Sequence, residues 1–282
     1  MKRSRFAKRV GRHVAWVLGS LLLVASGPTL EAQQRLPVLG KARAARRQAE
    51  KTIPWNELTP EATAKLRRVL QDTTVFRRMP EETIECDPDL FVFLVRHPEV
   101  VVNIWQHMGI TRCTLKRTKP FEMEASDGAG TKSRVELVYG SRNLHVLYAE
   151  GSYSGTLVTN PVNGQCVMIL RSRVQPGQPA SPAQTRITGT MDVFLKIDHA
   201  GAEVVAKALS PVVGRTVDNN FTQTMKFVEQ IAKVARVNSD GMQRLALQLD
   251  QLDRNVRDRF ALLTARIGRN EPAGGAVQSA TN

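Results

Sequence analysis

The chain has 282 residues, 42% of them hydrophobic, with 40 Lys and Arg against 26 Asp and Glu and a formal net charge of +14. That balance is ordinary for a globular protein and allows one good-sized domain with extensions, or two small ones. The three cysteines, Cys86, Cys113 and Cys166, form no Cys-x-x-Cys pair and share no ligand spacing with a histidine, which argues against a zinc site. In an oxidising compartment they allow one disulfide and leave one thiol over. Otherwise they read as small buried apolar residues.

Residues 1–32 begin with six basic side chains and continue into an apolar run at 14–27, VAWVLGSLLLVASG. Fourteen residues fall short of the roughly 20 that a membrane span needs. They suit the centre of an export signal, with small residues for cleavage at Ala25, Ser26, Gly27 and Ala32. The expectation is export to the periplasm or cell envelope of a bacterium. An uncleaved N-terminal membrane anchor is the alternative. Cleavage after Ala32 leaves 34 basic against 25 acidic residues, a net charge of +9. A charge of that sign suits anionic lipid, nucleic acid or an acidic polymer. Beyond residue 51 the basic residues are scattered, which favours simple solubility and argues against a nucleic-acid surface.

Residues 33–54 are basic and lack a clear apolar period. They read as a linker or loosely held arm, and the sharper alternative is an arm that binds anionic lipid or nucleic acid. A helix is predicted over 59–71, with Thr59 as N-cap and Pro60 at the first helical position. Residues 73–86 suit a first strand interrupted near Pro80. Asp87-Pro88 and His97-Pro98 then start two short helices, 88–96 and 98–107, the second ended by Gly109.

From Thr111 the apolar period changes to two. Strands are predicted near 111–118, 120–126, 132–139, 143–151, 165–174 and 185–197, separated by turn residues at Asp127-Gly128, Gly140-Ser141, Asn163-Gly164 and a Pro/Gly-rich stretch at 175–184. Their close spacing implies an antiparallel meander. In the last strand Ile187, Gly189, Met191, Val193 and Ile197 share one face, and Thr188, Thr190, Asp192 and Lys196 the other. A short helix over 198–210, broken at Pro211, precedes a long one over 212–236. At 1.5 Å per residue the long helix spans about 37 Å, with an apolar stripe through Val213, Val217, Phe221, Met225, Val228 and Ala232. The fold class is α+β.

The order of strand, two short helices, about six strands and a long helix resembles the helix-grip fold of the START-like superfamily, which includes the polyketide cyclase and lipid-transport (SRPBCC) proteins. Residues 73–86 match the first strand and Pro88–Arg96 with Pro98–His107 the helix pair. The passage HPEVVVNIW is similar to the family's own turn there, and 185–236 matches the closing strand and gripping helix. The likeness covers about 55–237. The chain departs from the pattern in the extra 198–210 segment and in a further C-terminal helix. What the resemblance implies is an apolar cavity between sheet and long helix that holds a lipid or other hydrophobic ligand. Its candidate lining is Phe91, Trp105, Tyr139, Tyr148, Met168, Met191, Val217, Phe221 and Met225.

Catalytic patterns are sparse. No Gly-x-Ser-x-Gly and no Cys/His signature occurs, and the five histidines have no metal-binding spacing. The run 128–133, GAGTKS, lacks the leading glycine of a phosphate loop and reads as a hairpin turn. Asn220-Phe221-Thr222 matches a glycosylation sequon but falls inside the long helix. Glu122, Glu124 and Glu136 lie near Lys116, Arg117, Lys119 and Arg134, which cross-strand pairing explains. His145, in a strand, is the best acid/base candidate.

Residues 239–268 carry a heptad-like seam of Met242, Leu245, Leu249, Leu252, Val256, Phe260, Leu263 and Ile267. One continuous helix is predicted, burying its seam in a homodimer, on a protein partner, or back on its own domain. Residues 269–282 read as a disordered tail. The leading functional expectation is an exported, non-enzymatic protein that binds a lipid or other hydrophobic molecule without cofactor or metal. An envelope adaptor oligomerising through 239–268, and a cyclase- or hydrolase-like enzyme, are the other two.

Overall fold

The computed structural model describes residues 35–155, 160–177, 185–198 and 211–269. The expected export signal, the 198–210 helix beyond its first residue and the C-terminal tail lie outside those residues. An antiparallel sheet of eight strands forms the centre. In chain order these are β1 (Val75–Arg78), β2 (Glu82–Glu85), β3 (Thr114–Lys119), β4 (Glu122–Ser126), β5 (Thr131–Gly140), β6 (Leu144–Tyr153), β7 (Val162–Gln175) and β8 (Arg186–Ile197). From β3 to β8 each strand pairs with the next, and β1 and β2 return to the free edge of β8. The predicted meander is therefore present.

The predicted interruption at Pro80 has a consequence for the side chains around it. Val75 pairs with Leu195 and Arg78 with Asp192, whereas Glu82 pairs with Gly189 and Glu85 with Arg186. One extra residue has entered between β1 and β2, at a proline that cannot donate to the ladder. Even-numbered side chains change face across this bulge. Phe76 packs tilted against Phe194 at one face, while Ile84 joins the apolar core at the other.

Both faces of the sheet are covered. On one, here the outer face, lie α1 (Arg35–Lys51) and α2 (Pro60–Gln71), packed on Val146, Tyr148, Val167, Ile169 and Phe194. Thr59 caps α2 by accepting from the Ala62 amide at 3.1 Å, as predicted. The expected linker over 33–54 is instead largely α1. Among its described side chains the packing face is made of alanines, Ala45 and the fully buried Ala49, followed by buried Ile53. So small a stripe gives no clear apolar period. Polar anchors add to it: the Arg46 guanidinium donates to the Leu70 carbonyl at 2.6 Å, and Arg78 donates to Gln48 Oε1 at 2.8 Å and the Ala45 carbonyl at 3.1 Å.

Under α1 sits Asp192, a fully buried carboxylate in β8. Arg78 binds it from β1 with Nε at 2.6 Å and Nη2 at 3.1 Å, and Arg171 reaches it from β7 at 2.6 Å. Three neighbouring strands and α1 are thereby tied to one group.

The inner face carries α3 (Pro88–Arg96), α4 (Pro98–His107), α5 (Pro211–Val237), α6 (Ser239–Gln248) and α7 (Arg254–Arg269). Asp87 caps α3, accepting from the amides of Asp89 and Leu90 at 2.9 and 3.0 Å. Gly109, at φ 68°, ends α4 in the left-handed conformation expected of it. The junction of α3 and α4 is clamped to the sheet by Glu99, which is buried. Arg117 of β3 binds it through Nε and Nη2 at 2.7 and 2.9 Å, and His97 Nδ1 lies 3.1 Å away. Burial pushes the Glu99 carboxyl upward, but the bonds from His97 and Arg117 outweigh it and hold the pKa below the ordinary value. The long helix α5 lies against β7, β8 and β2 through Phe221, Met225, Val228 and Ile231. It is pinned by the Arg77–Asp218 pair and by Thr222 Oγ1 donating to Glu82 at 2.6 Å. At Gly189 it comes so close that a Cβ there would lie 2.9 Å from Met225 Cε.

The seam over 239–268 differs from expectation. The helix stops at Gln248 and resumes at Arg254, because Asp253 accepts from the Asn255 amide at 2.8 Å and opens a new helix. Residues α6 and α7 form a hairpin: Gly268 returns so close to Ser239 that a Cβ on it would lie 2.5 Å from the serine Cβ. Met242, Leu249, Leu252, Val256, Phe260, Leu263 and Ile267 are all buried in the same core as α3 and α5. The seam is spent inside the chain, so a seam-to-seam dimer would have to unpack it first. Among the described residues no helix is long and apolar enough to cross a membrane.

Candidate functional site: an apolar cavity at one end of the inner face

The cavity is built where β6, β7 and β8 approach one end of the sheet and α5 passes over them. Met168 on β7 and Met191, Val193, Leu195 and Ile197 on β8 supply its floor, because alternate residues of adjacent strands share a face. Val217 and Phe221, one turn apart on α5, form its roof. Met79 enters from the bulge beside Pro80, and its amide donates to the Met191 carbonyl at 2.8 Å. Ala149 and Cys166 close the side. Thr131 and Ser133 of β5, in step with buried Val135, give the mouth a polar rim. The volume is about 110 Å³.

Size and lining limit the chemistry. A dry cavity of about 150 Å³ holds a benzene, whereas whole drug-sized ligands occupy roughly 300–1,000 Å³. This space therefore takes the end of one apolar chain and not a whole lipid. Three methionines adapt to an irregular guest. The ionisable lining groups offer little catalysis. Burial pushes the Cys166 thiol up to about 12, so it stays protonated and weakly nucleophilic. Glu150 is turned to the outer face, where it pairs with Arg134 and accepts from the Tyr148 hydroxyl at 2.9 Å. Burial raises its pKa, but those two partners outweigh burial and lower it overall.

Of the nine expected lining residues, Met168, Met191, Val217 and Phe221 border the cavity. Met225 lies one helical turn further along α5, packed on Gly189. Phe91 and Trp105 belong to the solid core, Trp105 tilted on Phe227 with ring centroids 5.4 Å apart. Tyr139 and Tyr148 are a correction, since both lie on the outer face. Tyr148 sits beneath Lys65 of α2, and the Tyr139 hydroxyl donates to Glu57 at 3.2 Å. Period-two alternation separates the faces of a strand but does not say which face meets the long helix, and here helices cover both. A bulge between Leu137 and Tyr139 further shifts β5, so that Tyr139 pairs with outward-facing Val146. Met79, Ala149, Leu195 and Cys166 were missed as lining. Only the register of β1 and β2 on β8 brings Met79 to the site, and no sequence spacing signals it.

The acid/base candidate His145 lies elsewhere, fully buried beside Gly140 and Arg96. Arg96 Nε donates to its Nε2 at 3.4 Å, and its Nδ1 has no partner. Burial, and after it the charge of Arg96, hold its pKa down to about 4 against an ordinary 6.5. Native protein thus refuses a proton that the unfolded chain accepts below pH 6.5. The associated stability is complete above that pH and is lost as pH falls towards 4, by about 3 kcal/mol in all. Between pH 7 and pH 4, urea unfolding of wild type is expected to lose about 3 kcal/mol more than His145→Gln. Parallel pH profiles for the two proteins would refute this.

None of the three cysteines is in a disulfide, and burial in the core pushes the Cys86 thiol up. The run 128–133 is a hairpin turn that leads into β5 at Thr131: Asp127 Oδ1 accepts from the amides of Ala129 and Thr131 at 2.7 and 2.9 Å. Among the described residues no group of three or more His, Cys, Asp or Glu is placed to hold a metal.

No protein-family model matches the chain, and no curated protein does. Among solved structures it is similar to a conserved protein from Geobacillus kaustophilus, at 12% identity and a TM-score of 0.38, over 55% of this chain and 96% of that one. It is also similar to a hypothetical protein from Helicobacter pylori, at 10% identity and a TM-score of 0.34, over 54% of this chain and 89% of that one. Likenesses this distant do not bear on function.

Proposed function

We propose that this is an exported, non-enzymatic binding protein of helix-grip type that takes the end of a single hydrophobic chain between β7–β8 and α5. The observation that carries this reading is the cavity itself: apolar floor and roof, three methionines, a polar rim, and no free acid, base or nucleophile among its lining side chains. The strand order supports the helix-grip comparison, since β1 and β2 pair with the last strand and α5 follows that strand across the inner face. The apolar run at 14–27 supports export. A ligand longer than the cavity would extend past Thr131 and Ser133, where a polar head finds hydroxyl partners.

The test uses 1-octanol, a neutral single-chain probe, in titration calorimetry. Wild type is expected to bind it saturably. Ala149→Leu places extra methyl groups in the cavity, and it is expected to weaken binding by at least about tenfold. Its stability should be unchanged or higher by about 0.5–2 kcal/mol, as for other cavity-filling changes. No binding by wild type, or equal binding by the variant, would overturn the reading.

A further inference from the structure

At the opposite end of the inner face a second concavity opens between α3, α7 and the turn that joins β5 to β6. His145 and Tyr153 mark the two ends of β6, about 26 Å apart at 3.3 Å per residue, so this groove is separate from the apolar cavity. Its volume is about 530 Å³, within the range of small-molecule sites. Val92 and Phe93 of α3 and Val256 of α7 give it apolar walls. Asp89, Arg96, His97, Arg142, Asn255 and Arg259 bring polar heads to it.

Charge pairing around the groove is unequal. Asp89 is shared by Arg142 and Arg266, each at 3.0 Å, and Asp87 takes Arg266 at 3.0 Å. Glu99 is consumed by Arg117, with His97 beside it. On α7, Asp253 caps the helix and Asp258 faces Arg254. Two guanidinium groups remain without a carboxylate. Arg259 has no hydrogen bond or ion pair among the described residues. Arg96 donates only to neutral acceptors: His145 Nε2 at 3.4 Å and the carbonyls of Gly140 and Ser141 at 3.1 and 3.3 Å. Those acceptors fix the orientation of Arg96 without cancelling its charge. The histidine behind it is fully buried, with Nδ1 unpartnered, so nothing on that side compensates the guanidinium.

We propose that this groove is a binding site for an anionic group, phosphate or carboxylate, carried by a ligand with a small apolar part. Arg96 and Arg259 contact the anion from α3 and α7, Asn255 supplies an amide, and Phe93 and Val256 receive the apolar part. A guanidinium presents paired N–H donors in the fork geometry that phosphate and carboxylate match. Behind the groove His145 Nε2 accepts from Arg96 Nε at 3.4 Å.

The test is amide NMR of the full chain titrated with inorganic phosphate and, separately, with hexanoate, against sodium chloride at matched ionic strength. Saturable shifts are expected at Val92, Phe93, Arg96, His97, Asn255 and Arg259. Arg259 is exposed and unpaired, so Arg259→Ala should keep the wild-type melting temperature. Losing one charge-assisted hydrogen bond, worth about 1.5–3 kcal/mol, should weaken binding by about tenfold or more, and Arg259→Glu should abolish it. Stronger binding of hexanoate points to an apolar carboxylic acid, and stronger binding of phosphate to a phosphorylated ligand; either outcome supports an anion site. Absence of clustered shifts with both probes, or shifts that survive in Arg259→Glu, would overturn it. The two sites are read by different variants, 1-octanol binding through Ala149→Leu and anion binding through Arg259→Glu, so they stand or fall separately.

Discussion

Asp192→Ala is expected to destabilise the protein by about 3 kcal/mol, the low end of the range for breaking a buried ion pair. The carboxylate is fully buried and holds two guanidinium groups at once. Removing it leaves Arg78 and Arg171 facing each other with no counter-charge. Both keep about a quarter of their side-chain surface in water, at 28% and 25%, which limits the loss. The effect should also be directional. Arg78 is the residue that reaches Gln48 and the Ala45 carbonyl, so amides of α1 should exchange faster than those of α5 in the variant. Urea denaturation and hydrogen exchange measure the two parts. A loss below about 1 kcal/mol would mean that the cluster is solvated and tolerates the gap, as exposed pairs do.

Phe260→Ala is expected to cost about 3–5 kcal/mol, the usual range for truncating a buried aromatic side chain. Phe260 is fully buried and stacks on Phe93 of α3 with ring centroids 6.2 Å apart. It is the centre of the contact through which the α6–α7 hairpin covers the core. Its loss should lower the urea midpoint and raise exchange across 239–269 before the sheet opens. If 239–269 were instead a peripheral arm, truncation of Phe260 would leave the midpoint of the sheet unchanged.

Much of the fold was legible because its signals are local. Proline-started helices at Pro60, Pro88 and Pro98, the caps Thr59 and Asp87, the left-handed Gly109 and the period-two runs of β3 to β8 all depend on residues within a few positions of one another. The stripe of α5 was equally plain. Three features were hidden for separate physical reasons. Helix α1 packs through alanine, which a search for large apolar residues passes over. The break between α6 and α7 looked like a tolerable stutter in a heptad, yet Asp253 caps a new helix there. The face on which Tyr139 and Tyr148 lie depends on strand register and on which helices cover the sheet, and these are long-range facts. The same holds for the cavity. Its roof and floor, Val217, Phe221, Met168 and Met191, follow from periodicity. Met79 reaches it only through the bulge at Pro80, and its small volume reflects packing that no single residue encodes.

As proposed above, an apolar guest enters between β7–β8 and α5. The most direct measurement is the spectrum of methionine ε-methyl groups as 1-octanol is added. The methyls of Met79, Met168 and Met191 line the cavity, whereas Met123 and Met242 are buried elsewhere and Met108 is exposed. The expected result is saturable shifts of the first three, with Met123, Met242 and Met108 unmoved. Shifts confined to Met108, or no saturable shift at Met168 and Met191, would mean that no guest enters there.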